Sequence, residues 1–348
     1  MGKVIRNILI GIGAVLLLAV ATVAILFFNE LRSLLSLKEV SAAPLYTMNY
    51  YGDYGFDEFL KQGAQSDKDI ERFVTKRLLK GLPINLNVTG AGCSAFYAKN
   101  ESGDGIYGRN FDFNYAPALI LHTKPESGYA SVSTVNLSFL GYGEQDLPKP
   151  GNLNSFLTLA APYLCFDGMN EKGLTVALLA VPQAYPPKQE GRVMLNTTAA
   201  IRLMLDKAAT VEEAANLLKE YNIYFSGDVQ CHYLVADAGG NAAVFEFWDN
   251  KLKVVKPAVG TYPAATNFVM YNNLNIGEGY TEFDRYNAIQ QKLTQTKGVL
   301  AEADAMSLLS EVAIPDRIQW SVVYNMKKLT ATIAVRKDYK NLYEYALK

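Results

Sequence analysis

The chain has 348 residues, with 33 basic against 34 acidic side chains and a formal net charge of −1. That balance excludes a basic nucleic-acid face and a strongly anionic partner, and a composition that is 50% hydrophobic excludes a disordered chain. With 3 cysteines and 2 histidines there is neither a disulfide framework nor a Cys/His zinc site, so no metal and no cofactor is expected.

Residues 8–28 read ILIGIGAVLLLAVATVAILFF, without a charge. As a helix this run would cover roughly 30 Å, the hydrocarbon thickness of a bilayer. It is longer than a signal-peptide core and ends in Phe27-Phe28-Asn29-Glu30 rather than in small residues. It therefore predicts one uncleaved transmembrane helix, an anchor over residues 1–29. Lys3 and Arg6 precede it and favour a cytoplasmic N-terminus. The expected location is the cell membrane, single-pass, with the body of the chain extracytoplasmic.

Residues 30–50 read as a tether. Residues 66–80 (SDKDIERFVTKRLLK) place Ser66 ahead of Asp69 and apolar groups at Ile70, Phe73, Val74 and Leu78, which predicts an amphipathic helix. Gly81, Pro83 and residues 85–92 predict a loop before Cys93. Beyond it the pattern turns β-rich: CSAFYA and IYGRNFDF flank a turn-prone NESGDG as a hairpin. Strands are predicted at Ala118–Thr123, 130–140, 163–166 and 174–181, then helices at 196–207 and 211–221. Strands resume at Cys231–Ala236, Ala242–Trp248 and 252–259, followed by helices at 281–293 and 302–312 and a closing hairpin of 321–325 with 329–335. The order predicts an α+β domain with helices over antiparallel sheets.

Amide hydrolysis needs a nucleophile, a base and donors for an oxyanion. The sequence has no Gly-x-Ser-x-Gly elbow, no His-Glu-x-x-His and no phosphate-cradling loop. Cys231 precedes His232, but neighbours on a strand face opposite ways and cannot form a dyad. What remains is Gly92-Cys93-Ser94, with Arg109 and Asp112 on the paired strand about 5 Å away. Those two would face opposite ways on a regular strand, so both reach the cysteine only if the chain bends or Cys93 lies at the strand end. Taken singly, each residue also has an ordinary role. Cys93 could be a buried hydrophobe, Arg109 with Asp112 an ion pair, Asn267 a turn residue after Pro263, and Arg285 a solvated helix position. Cys165 and Cys231 read as core residues.

Read together, these segments resemble the choloylglycine hydrolase and linear-amide C–N hydrolase family, which includes bile salt hydrolases and penicillin V acylases and whose mature chains begin with cysteine. Gly108-Arg109-Asn110-Phe111-Asp112 matches the family's Gly-Arg-Asn-x-Asp segment, and residues 167–174 (DGMNEKGL) its hairpin. Thr266-Asn267 matches its Thr-Asn pair, Phe283-Asp284-Arg285-Tyr286 the helix start that carries a second arginine, and residues 232–237 (HYLVAD) a structural segment. The resemblance implies a four-layer αββα sandwich of the N-terminal nucleophile hydrolase type over residues 93–348. It implies that the freed α-amine of Cys93 is the base, that Arg109 lowers the thiol pKa and that Asp112 orients the amine. Asn267 would donate to the oxyanion, and Arg285 would hold the charge network near the nucleophile. Where some members line the oxyanion hole with Asn or Tyr, this sequence has Ala180, whose backbone N–H alone could serve. That departure weakens a bile-salt reading.

The implied function is hydrolysis of a linear amide bond in a small N-acyl compound through an acyl-enzyme. It would follow self-cleavage between Gly92 and Cys93, with residues 30–92 forming the tether and pro-segment. An acyltransferase using the same acyl-enzyme and a non-catalytic, membrane-tethered binding protein of this fold are the alternatives. The expected partners are a small-molecule N-acyl amide and the membrane, with no nucleic acid; a homo-oligomer stays open.

Overall fold

The computed structural model describes residues 2–41, 44–84, 86, 92–277 and 280–347, without the side chains of 16, 19–21, 23–24, 280 and 281. Helices α1 (Gly2–Leu26) and α2 (Phe28–Ser36) come first, then strands β1 (Lys38–Ser41) and β2 (Leu45–Asn49) and helices α3 (Phe56–Gln62) and α4 (Asp67–Arg77). Strands β3 (Gly92–Lys99), β4 (Gly105–Asp112), β5 (Ala118–Thr123), β6 (Ser131–Asn136), β7 (Cys165–Asn170) and β8 (Thr175–Ala180) follow. A short parallel pair, β9 (Met194–Asn196) and β10 (Asn222–Tyr224), brackets α5 (Thr197–Lys207) and α6 (Val211–Leu218). Next are β11 (Cys231–Ala236), β12 (Ala242–Trp248), β13 (Lys251–Val255), β14 (Ala264–Ala265) and the small pair β15 (Phe268–Val269) with β16 (Ile276–Gly277). The chain closes with α7 (Tyr280–Gln295), α8 (Glu302–Glu311), β17 (Ile318–Asn325), β18 (Thr330–Val335) and β19 (Asp338–Ala346).

Two sheets face each other. One has nine strands in the order β1-β2-β5-β6-β7-β8-β11-β12-β13, the other six in the order β14-β3-β4-β17-β18-β19. Their facing side chains form the main core, in which Tyr107, Phe111, Leu119, Val176 and Trp320 are all fully buried. Helices α5 and α6 cover the outer face of the nine-stranded sheet, and α7 and α8 that of the six-stranded one. Under α7 and α8 a second cluster joins Phe96, Ile106 and Val323 to Ile289, Leu293 and Leu309. The strands are apolar on both faces, as sheets sandwiched between layers must be. Two glycines allow close approach. A Cβ on Gly168 would stand 2.8 Å from Cδ1 of Leu205 on α5, and one on Gly108 would stand 2.6 Å from Cε1 of Phe96.

The N-terminal helix requires a correction. Among the described residues no helix is long and apolar enough to cross a membrane. The expected anchor over 1–29 and the single-pass cell-membrane location with an extracytoplasmic domain are overturned by that finding, and the membrane as a partner has no support in it. The helix does not run through 8–28 as the apolar run suggests. It carries Lys3 and Arg6 and stops at Leu26; Phe27 leaves helical geometry at φ −110 and ψ 22, and α2 starts as a separate element.

The stretch read as a tether carries α2, β1 and β2. Strand β2 lies inside the large sheet, antiparallel to β1 and parallel to β5, with Leu45, Tyr46 and Met48 buried. The helix predicted at 66–80 is α4, and Asp69 accepts from Ser66 Oγ and from the Gln65 N–H at its start. Apart from Leu86 and Gly92, the loop expected at 85–92 lies outside the described residues.

Candidate active site

Strands β3 and β4 form the expected hairpin, with Cys93 opposite Phe111, Ala95 opposite Arg109 and Gly92 opposite Asp112. Directly opposed residues share a face and alternate residues return to it. Cys93 and Arg109 therefore point the same way, into the space between the sheets. Asp112 points the other way, toward α7. Cys93 is the second residue of β3, so its backbone lies at the strand end, where both faces come within reach.

Every heteroatom of Cys93 is held. Its N–H donates to Oδ1 of Asn267 at 2.7 Å, and its carbonyl accepts from Nη1 of Arg285 at 2.6 Å. Its sulfur lies 3.6 Å from Nη2 of Arg109 and also meets the backbone N–H of Ala180. The same Nη2 donates to the Leu178 carbonyl at 3.1 Å, and Nδ2 of Asn267 donates to the Ala180 carbonyl at 2.7 Å, so the end of β8 borders the thiol. Arg285 on α7 also donates Nη2 to Oδ1 of Asn267 at 2.9 Å and pairs with Oδ2 of Asp112 at 3.7 Å. Asp112 takes the Ile314 N–H on Oδ1 at 3.0 Å, while its buried Oδ2 makes no hydrogen bond among the described residues.

The arrangement brings all six sequence candidates together: Cys93, Arg109, Asp112, Ala180, Asn267 and Arg285. Two details differ from the expectation. Burial pushes the Cys93 thiol above its usual range, and Arg109 offsets this only in part, so the uncut chain holds a neutral thiol. Asn267 turns its carbonyl oxygen, not its amide, toward the Cys93 N–H and Arg285.

Sequence reasoning gave three residues around this cluster no role at the site. Asp167, fully buried on β7, pairs with Nε of Arg109 at 3.0 Å and accepts from Tyr324 Oη at 2.5 Å and Trp320 Nε1 at 3.2 Å. His232 and Glu246 lie behind Asn267. The available signals were Asp167 at the head of the DGMNEKGL segment and a carboxylate in the otherwise apolar AAVFEFW of β12. Cys165 and Cys231 are both buried in the core. The faces of β11 separate Cys231 from His232, whose ring reaches Glu246 and Thr266 instead.

Beside Ala180 lies a cavity of about 20 Å³, walled by Leu86, Leu164, Phe166, Leu178 and Val229 together with the polar Asn196, Thr197, Thr198 and Ser226. That is room for about one water molecule. Leu86 precedes Cys93 in the chain, and its N–H is tied to Oε1 of Glu71 at 2.7 Å. In the segment behind the cavity, Gly227, Asp228 and Gln230 line an outer cleft of about 960 Å³ bordered by Gln65, Asp67 and Tyr185.

Residues 93–308 match the family described as linear amide C-N hydrolases, choloylglycine hydrolase family. Two structures of variants of the conjugated bile acid hydrolase from Clostridium perfringens are similar in fold. They share 16% and 17% sequence identity with this chain at TM-scores of 0.54 and 0.52, each covering 73% of this chain and 92% of the other. No curated protein matches the sequence.

Proposed function

The chain belongs to the linear amide C-N hydrolases of the choloylglycine hydrolase family, and from that premise we propose that Cys93, freed as an N-terminal residue, is its nucleophile. The observation that carries the reading is the grip on Cys93, whose nitrogen, oxygen and sulfur meet Asn267, Arg285 and Arg109 respectively.

In the uncut chain the Cys93 nitrogen is an amide and has no basicity. The thiol attacks the carbonyl carbon of Gly92, the C–N bond opens, and the departing nitrogen takes a proton to become the α-amine. Water then attacks the resulting thioester and releases Gly92 as a carboxylate. The amine, with a usual pKa of about 7.7–8.0, can now accept the thiol proton. Asn267 Oδ1 already faces this nitrogen, and the buried Oδ2 of Asp112 offers a second acceptor to an ammonium group. These acceptors orient the amine, and Arg109 favours the thiolate.

A substrate amide follows the same course. The thiolate adds to its carbonyl, the tetrahedral oxyanion is stabilised by donors at the end of β8 and by Asn267, and the amine leaves with the proton. Water then resolves the acyl-enzyme. The Ala180 N–H, already beside the sulfur, serves as the backbone donor. The cavity next to it holds about one water while Leu86 stands at its edge, and displacement of Leu86 after the cut before Cys93 would open it to an acyl group, with residues 30–92 as the cleaved pro-segment.

Intact mass and N-terminal sequence of the purified protein, with turnover of N-acyl amides, test this reading. A chain starting at Cys93 that hydrolyses amides, beside an uncut and inactive Cys93→Ala, is the expected result. Undiminished turnover in Cys93→Ala would sink the mechanism.

A further inference from the structure

His232 on β11 and Glu246 on β12 form a buried pair, 2.9 Å apart from Nδ1 to Oε1, with 0% and 3% of their surface exposed. The other ring nitrogen, Nε2, lies 2.9 Å from the carbonyl of Thr266, the residue immediately before Asn267. A carbonyl only accepts, so Nε2 carries a proton. Glu246 accepts the N–H groups of Met270 at 2.9 Å and Tyr271 at 2.8 Å. Burial acts against its charge, but His232 and these two N–H groups outweigh it and hold the carboxyl below its usual range. Lys253, opposite Glu246 on β13, sits over the Tyr271 ring at 4.7 Å and leaves the carboxylate to the histidine.

The pair thus grips the segment 266–271 on both sides of Asn267: His232 holds the carbonyl before it, and Glu246 holds two amides after it. The segment is also held by the two-residue pair β15–β16, by the Thr266 hydroxyl donating to the Glu282 carbonyl at 2.7 Å, and by the contacts of Asn267 itself. Glu246 and His232 add the tie from its backbone to two strands of the nine-stranded sheet.

We propose that His232 and Glu246 are positioning residues of the hydrolase, setting the place of Asn267 against Cys93 through the backbone of residues 266–271. The inference rests on the hydrolase reading above. A displacement of about 1 Å in such a donor can cost about 100-fold in rate. His232→Leu then lowers kcat by about that factor with KM within about twofold, and His232→Gln, which keeps a donor for the Thr266 carbonyl, recovers part of the loss.

The deciding experiment is a double-mutant cycle on the mature enzyme, with chromogenic N-acyl anilides of aliphatic acids as probes and melting curves on each variant. If His232 acts through Asn267, His232→Leu changes kcat less than about twofold once Asn267→Ala is present. Equal loss in both backgrounds would show a merely structural role and overturn the inference while leaving the hydrolase reading intact. Should His232→Leu fail to fold, Glu246→Gln carries the same cycle with the same expectation. A wild-type chain that neither cleaves before Cys93 nor hydrolyses any probe overturns both readings together.

Discussion

Arg109 and Asp167 form an ion pair at 3.0 Å in which neither side chain reaches solvent. Nη2 of the same guanidinium lies against the Cys93 sulfur, and the ring faces of Phe111 and Trp320 lie 4.8 and 5.6 Å from its centre. Removing one partner of such a pair leaves a buried charge uncompensated, at a cost of about 3–5 kcal/mol. Asp167→Ala should lose that much in urea unfolding. Arg72→Ala, which removes the exposed side of the Asp69 pair, should lose less than about 1 kcal/mol. Equal losses would contradict the buried-pair account.

Asp112 gives a pH prediction with a definite sign. Burial raises its carboxyl to about 6, with Arg285 opposing. A carboxyl raised on folding binds more protons in the folded state between about 4 and 6. Its contribution is present below about pH 4 and lost as pH rises through 6, on the order of 3 kcal/mol. In an uncut Cys93→Ala background, Asp112→Asn should gain relative stability by that amount from pH 4 to pH 7. A stability difference independent of pH would contradict the raised carboxyl.

Gly108 allows the Phe96 ring to lie across β4, since a Cβ there would stand 2.6 Å from Cε1 of that ring. Gly108→Ala should cost about 1–3 kcal/mol by overpacking. Phe96→Leu in the same chain should recover part of it, measurable as a rise in Tm over the single variant.

The N-terminal segment is joined to the body by buried polar contacts. Tyr54 Oη donates to Oδ2 of Asp206 at 2.6 Å, Asp206 pairs with Arg202, and Tyr163 Oη donates to the Tyr54 carbonyl at 3.1 Å. After cleavage before Cys93, the two pieces should co-elute in native size-exclusion chromatography and separate only in denaturant. Tyr54→Phe should cost about 1–3 kcal/mol and lower the denaturant concentration of separation.

The elements legible in the sequence were those with strong local signals. Alternating or continuous apolar runs gave β5, β11 and β12 at their observed limits, and Asn196 and Thr210 mark the starts of α5 and α6 through side-chain caps. The candidate residues were legible because they sit in short segments of fixed order. What stayed hidden depends on distant partners. The stretch KEVS…LYTMN of β1 and β2 is too short and mixed to declare strands, and only pairing with β5 makes them so. β19, with exposed Asp338, Lys340 and Glu344, is a strand only because β18 offers an edge. The Asp167 and Glu246 contacts likewise join residues far apart in the chain.

Strand β2, placed between β1 and β5, gives the proposed cleavage a kinetic consequence. While the chain is whole, β2 finds β5 as one part of a molecule finds another, at a rate that does not depend on concentration. Once the bond before Cys93 opens, an inner strand of the sheet belongs to a separate polypeptide. Refolding from denaturant then becomes bimolecular and dilution-sensitive, so the uncut Cys93→Ala chain should recover its fold at concentrations where the mature pair does not. Maturation would thus make unfolding effectively one-way in dilute solution, and the enzyme's lifetime would be set by how rarely β2 lets go.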